Sequence, residues 1–145
     1  MFRHHSLERS TRESLFARVQ QITKARRIVL VLAETGLQLR SGGAKGVHGR
    51  GRHRTIGLKT APAHNLRELI TAKRAGVDIV FLSPVFPTRS HIGGRTLGRR
   101  GFARLAQEAQ LVGMIPIALG GMTARRMRTL TGAYGWAAID AWVAA

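Results

Sequence analysis

Few side chains in this chain are well placed to do chemistry, and their positions narrow the choice further. Of seven carboxylates, Glu8, Glu13, Glu68 and Glu108 read as helical or helix-starting, and Asp78 opens a strand-like run. Only Glu34 and Asp140 fall at strand C-terminal ends, where parallel α/β folds gather their ligand sites. A magnesium ion that bridges phosphate oxygens takes hard carboxylate oxygen, so these two are the candidate acidic metal ligands. Glu34 serves equally as a helix-start charge before Thr35, and Asp140 as a cap near the chain end. The histidines at positions 4, 5, 48, 53, 64 and 91 lie near strand ends or in the loops after them, where imidazole acts as acid, base or phosphate ligand. No His-x-x-x-His pair is present, which argues against zinc. With no cysteine, thiolate metal sites and cysteine nucleophiles are excluded. The third feature is Leu119-Gly120-Gly121-Met122-Thr123. It follows a strand and opens a helix, so its glycines allow close backbone approach and its amides form an anion cradle. A paired glycine also reads as a plain turn.

The elements that hold these residues follow from hydrophobic periodicity. Ser10-x-x-Glu13 has the form of a capping box, and Leu15, Phe16, Val19 and Ile22 share one face of a helix over about residues 10–25. The run Ile28-Val29-Leu30-Val31-Leu32 fits a strand buried on both faces. Asn65 and Glu68 open a helix that Gly76 stops, and Ile79-Val80-Phe81-Leu82 follows as a strand ended by Pro84. Phe102, Leu105, Ala106 and Ala109 mark a helix stopping near Gly113, and Ile115-Pro116-Ile117-Ala118-Leu119 is the next strand. Thr123 caps a helix through Met127 and Leu130, and Trp136 to Ile139 forms a last strand. Strand candidates near Phe2, Ile28, Val47, Ile56, Ile79, Ile115 and Ala137 alternate with helices, which predicts an α/β fold with about seven parallel strands. The Gly- and Arg-rich stretch from Ser41 to Arg54 is expected to be the most mobile.

At 145 residues and 44% hydrophobic content, the chain is expected to form a single domain over residues 1–145 with a real core. Its formal charge of +17, from 24 Lys and Arg against 7 Asp and Glu, points to an anionic partner. The arginines are scattered without a basic tail and the aromatics sit at core-like positions, so nucleic acid is disfavoured. No apolar run is long enough to span a bilayer, and no signal-peptide stretch follows Met1, so the expectation is a cytoplasmic protein without a membrane segment.

The stretch Ala75-Gly76-Val77-Asp78-Ile79-Val80-Phe81-Leu82-Ser83-Pro84-Val85-Phe86-Pro87-Thr88 resembles the gly-ala-asp, strand, gly-pro-val-phe-pro-thr signature of thiamine-phosphate synthases and thiazole tautomerases. Ala44-Lys45-Gly46-Val47-His48 is similar to their ala-asp-gly-val-his segment, and Pro62-Ala63-His64-Asn65 to the segment after strand five. Ala118-Leu119-Gly120-Gly121-Met122 is similar to their ala-ile-gly-gly-ile turn. The resemblance implies a TIM (β/α) barrel-like fold lacking the first strand and helix. It also implies an activity in thiamine biosynthesis: joining hydroxymethylpyrimidine diphosphate to a thiazole phosphate with release of pyrophosphate and help from magnesium.

Carried across residue by residue, the resemblance makes Thr88, Ser90 and His91 the diphosphate loop, and Gly120, Gly121 and Ile139 the thiazole-phosphate site. Met1-Phe2-Arg3-His4-His5 stands where the family has gln-x-arg-x-lys, which marks Arg3 and His5, with His91, as the expected catalytic residues. The family's asn-asp magnesium pair reads Ala33-Glu34 here, and its second metal aspartate falls on His53, so Glu34 and His53 are the expected metal positions. Pro62 or Ala61 stands in place of a serine, and Asp140 in place of a serine beside the phosphate. Alternatives of a different kind are a tautomerase-like enzyme using a loop histidine and a catalytically inactive barrel that binds phosphorylated intermediates. Unpaired edges near Phe2 and Ala137 predict either a homo-oligomer, as a dimer, or an added N-terminal strand.

Overall fold

From residue 58 onward strands and helices alternate along the chain as the periodicity requires, whereas the described residues of 31–60 carry strands with no helix between them. The structure, a computed structural model, describes residues 1–4, 6–33, 44–51, 57–88 and 93–138. It comprises two compact units, Met1–Thr60 and Ala61–Ala145.

In the first unit, helix α1 spans Arg9–Ala25. Its N-cap is Glu8, without a side-chain cap bond, so the Ser10–Glu13 capping box does not form. Ser10 already lies inside the helix, where the Arg12 amide bonds to the Glu8 carbonyl, and Glu13 instead accepts from Arg9 Nε at 2.9 Å. The inward face carries Phe16, with Leu15 and Val19 alongside, packed on Phe2 and Leu30. The Phe2 and Phe16 rings meet edge-on at 5.3 Å. Ile22 is exposed, so the apolar stripe ends a turn earlier than its spacing suggests. Arg27 takes a left-handed φ of 54°, and the Ile28 amide closes back on the Thr23 carbonyl at 2.8 Å. This chain reversal leaves Ile28 and Val29 exposed and delays strand β1 to Val31–Ala33. The doubly buried strand expected over 28–32 therefore begins later than its composition indicated.

Phe2 makes an isolated parallel bridge to Leu32. Strands β2 (Gly46–His48) and β3 (Leu58–Ala63) add in parallel, with Gly46 opposite Leu58 and His48 opposite Thr60. A Cβ on Gly46 would run into the Leu58 carbonyl, so this register requires glycine there. Ile56, the centre of one expected strand, lies outside the described residues, and β3 starts two positions later.

The second unit takes up the end of β3 and continues with α2 (Leu66–Arg74), β4 (Ile79–Leu82), α3 (Gly98–Leu111), β5 (Ile115–Leu119), α4 (Ala124–Met127) and β6 (Gly135–Ala137). The Ser83 amide bonds to the Ala63 carbonyl at 3.1 Å. Strand β4 pairs in parallel with β5, and β5 with β6, so each strand neighbours the one before it in the chain. Asn65 caps α2, its Oδ1 accepting from the Glu68 amide at 3.0 Å, while Glu68 Oε2 accepts from the His64 amide at 3.1 Å. That closes the first turn as the sequence indicated. Helix α3 buries Phe102, Leu105, Ala106 and Ala109 in one core with Val80, Leu82, Val85 and Ala118, and removing this apolar area from water stabilises the unit. Helix α4 is a single turn rather than a helix reaching Leu130. The Leu130 amide bonds to the Met127 carbonyl and the Thr129 hydroxyl to the Arg126 carbonyl, which tightens the chain before Gly132.

Candidate active site

In the second unit the C-terminal ends of β3, β4 and β5 converge. Beyond β4 the chain runs Ser83-Pro84-Val85-Phe86-Pro87-Thr88, and beyond β5 it makes the Gly120–Gly121 turn. The two are stitched together: the Val85 amide bonds to the Leu119 carbonyl at 2.9 Å, and the Phe86 amide to the Gly120 carbonyl at 3.1 Å. Both glycines have positive φ, 89° and 60°. A Cβ on Gly120 would lie 2.7 Å from Pro84 Cα, and one on Gly121 2.5 Å from the Pro87 carbonyl oxygen. The turn thus requires glycine twice, for its backbone angles and for the approach of the facing loop. It places the turn directly against the peptide that leads into Thr88.

Arg126 braces the other side. Its Nη1 donates to the Gly121 carbonyl, and its guanidinium carbon lies 4.9 Å from the centre of the Phe86 ring. Thr123 Oγ1 accepts from the Arg126 amide at 3.2 Å, fixing the backbone from which this side chain departs. At the end of β3, His64 Nδ1 lies 2.5 Å from the Ser83 carbonyl oxygen. A carbonyl only accepts, so Nδ1 carries the proton and donates, with Ser83 Oγ 3.3 Å away as a further acceptor. The acceptor nitrogen of this tautomer is Nε2.

The first unit holds a second histidine in a defined state. The Thr60 hydroxyl donates to the Val47 carbonyl at 3.3 Å, so it accepts from His48 Nδ1 at 2.8 Å. Burial pushes the His48 pKa below its usual value, and the Arg3 guanidinium and the N-terminal ammonium push it the same way. Arg3 and His48 therefore share a neighbourhood, which holds the imidazole neutral.

Among the expected site residues, Thr88, Gly120 and Gly121 come together in the second unit, and Arg3 lies in the first. His5, Glu34, His53, Ser90, His91, Ile139 and Asp140 lie outside the described residues. Ala33, at the position before Glu34, is buried and presents a methyl group with no donor for a metal. Among the described residues no three His, Asp or Glu gather to hold a metal ion, and no helix is long and apolar enough to cross a membrane. The sequence marks His64 only as one of six histidines near strand ends, and it gives Arg126 no role. The His64–Ser83 bond joins residues 19 apart, so only the placement of β3 beside β4 brings it into view. Arg126 stands within a background of 24 basic side chains.

A parallel α/β sheet with a glycine turn at a strand's C-terminal end, clasped to the loop after the neighbouring strand, is the architecture of barrel-like α/β proteins. The family model of thiamine monophosphate synthase matches residues 50–142, and the chain belongs to that family. The chain is 33% identical over 81 residues to a putative thiamine-phosphate synthase 2 of Aquifex aeolicus, covering 54% of this chain and 41% of that protein. The thiamine phosphate pyrophosphorylase of Pyrococcus furiosus superposes with a TM-score of 0.70 at 20% identity, over 88% of this chain and 64% of the other. The fold is thus the TIM-barrel-like α/β fold of that enzyme, and the chain spans less than two thirds of the length of either protein.

Proposed function

We propose that this chain acts in thiamine biosynthesis as a thiamine-phosphate synthase-like protein, joining hydroxymethylpyrimidine diphosphate to thiazole phosphate with loss of pyrophosphate. The observation that carries the reading is the double glycine turn clasped against the Pro84–Pro87 loop, in a segment that belongs to the matched family. The carbonyls of Gly120 and Gly121 are both engaged by protein donors, which directs the following N–H groups to the opposite side of their peptides. In this reading those amides hold the thiazole phosphate with Ile139, while Thr88, Ser90 and His91 take the diphosphate. Breaking the carbon–oxygen bond to the diphosphate develops negative charge on the leaving group, and basic donors that are in place beforehand lower its energy.

Magnesium would be held by Glu34 and His53, both outside the described residues. Among the described residues no group of three His, Asp or Glu gathers to add further ligands. The test is formation of thiamine phosphate from the two substrates, with and without magnesium, in wild type and Glu34→Ala. Magnesium-dependent product lost in the variant supports a synthase with a reduced metal site. A folded protein that makes no product yet binds thiazole phosphate points instead to a tautomerase or a binding protein. One observation favours the tautomerase as the second reading: His64 is held with its proton on Nδ1, which leaves Nε2 as the acceptor a proton-shuttling reaction needs.

A further inference from the structure

We infer that Arg126 is a positioning residue for phosphate at the Gly120–Gly121 turn: by holding the Gly121 carbonyl it sets the direction of the Met122 N–H as an anion donor. The inference rests on the phosphate reading of this turn. In a trans peptide the C=O and the following N–H point in opposite directions, and the one cis bond found among the described residues is Ser83–Pro84. Arg126 Nη1 fixes the oxygen of the Gly121–Met122 peptide, and the buried Met122 side chain anchors its far end. The rotation of the unit, and hence the line of the Met122 N–H, is thereby set. The preceding peptide is fixed in the same way, its Gly120 oxygen taken by the Phe86 amide at 3.1 Å. Two successive N–H groups are oriented by two bonds on their opposite faces, one from backbone and one from Arg126.

Glycines at φ 89° and 60° have no intrinsic preference that would hold this arrangement, so an external lock is needed. The guanidinium suits that role. It stays charged, it is planar, and it lies over the Phe86 ring at 4.9 Å, which fixes its plane as it donates.

The test titrates inorganic phosphate into the full 15N-labelled chain and follows the Gly121 and Met122 amide resonances, with urea midpoints to show that each variant is folded. In wild type both resonances move on binding. Arg126→Gln is expected to weaken phosphate by about tenfold to a hundredfold, the equivalent of one charge-assisted hydrogen bond, and to abolish the Met122 shift before the Gly121 shift. Arg126→Lys keeps the charge and loses the planar fork, so it is expected to stay weakened and without the Met122 shift. Phe86→Leu, which retains Arg126 and removes the ring under it, is expected to weaken binding about two- to fivefold, and it serves if Arg126→Gln does not fold. Wild-type affinity in Arg126→Lys would show that charge alone matters and overturn the positioning role. Unchanged affinity in Arg126→Gln overturns the inference while leaving the phosphate reading intact. No perturbation of Gly121 or Met122 in wild type overturns both.

Discussion

Replacing Gly120 by alanine should strike the candidate site hard, and the structure separates the two reasons. The first is conformational: at φ 89° an L-residue costs roughly 1–2 kcal/mol. The second is steric: the new Cβ would lie 2.7 and 2.8 Å from Pro84 Cα and Cβ, atoms that cannot swing aside, and such overpacking costs about 1–3 kcal/mol. Together they predict a loss of about 2–5 kcal/mol, a large part of the roughly 5–15 kcal/mol by which a domain is stable. Gly113→Ala is the control, because Gly113 has φ 77° and nothing within 4 Å of its would-be Cβ. It carries the first cost alone, and the small unfolded-state gain from losing a glycine is common to both variants. Urea unfolding followed by far-ultraviolet circular dichroism, with m compared between variants, measures the difference. Gly120→Ala should be less stable than Gly113→Ala by about 1–3 kcal/mol. If the two lie within about 0.5 kcal/mol of each other, the clasp between the β4 and β5 loops is not there, and the cradle argument fails with it.

Asn65→Ala removes the cap of α2 and should lower stability by about 1 kcal/mol in the same urea assay; an unchanged midpoint would mean that Glu68 and solvent already satisfy that turn. For His48 the folded pKa is depressed, so the unfolded chain takes up a proton first as pH falls through about 6.5. The stabilising contribution is complete above that pH, declines below it, and levels off under the folded pKa. His48→Gln should flatten urea midpoints plotted against pH in this acid window, and an unaltered slope would refute the assignment. Arg12 is 1% exposed, its Nε and Nη1 have no hydrogen-bond partner among the described residues, and burying a cation with its donors unmet is costly. Arg12→Met should therefore hold or raise stability, by up to about 1–4 kcal/mol, and a clear loss would reveal an anionic partner for the guanidinium.

What the sequence disclosed and what it withheld divide by range. Helix α2 was legible from Asn65, Glu68 and Gly76 because capping and termination are settled within a turn of the chain. The glycine turn after β5 was legible because two adjacent glycines between a strand and a capping threonine admit few conformations. The start of α1 was misread because Ser10 and Glu13 stand in capping-box spacing, while the Arg9–Glu13 pair and the Glu8 carbonyl support a helix that starts earlier. Ile28 and Val29 have strand-like side chains, yet the left-handed Arg27 before them places them in the link out of a helix. The His48–Thr60 and His64–Ser83 bonds depend on which strands are neighbours and in what register. No periodicity along a single chain encodes that.

The positions at which the chain departs from the family pattern reach every part of the expected site: Ala33, Glu34 and His53 stand at the metal positions, Ser90 and His91 in the diphosphate loop, and Asp140 beside the thiazole phosphate, whereas Gly120 and Gly121 are retained. The geometry gives the two glycines a reason to persist, since both are pressed against Pro84, Phe86 and Pro87 and neither tolerates a side chain. On the proposed reading, loss of the diphosphate calls for charge neutralisation at the altered metal and loop positions, whereas a phosphate at the turn calls on backbone amides, so phosphate affinity and turnover are expected to be separable. His64, with its proton held on Nδ1 by the Ser83 carbonyl, presents Nε2 as an acceptor, and that is the observation that favours the tautomerase as the alternative.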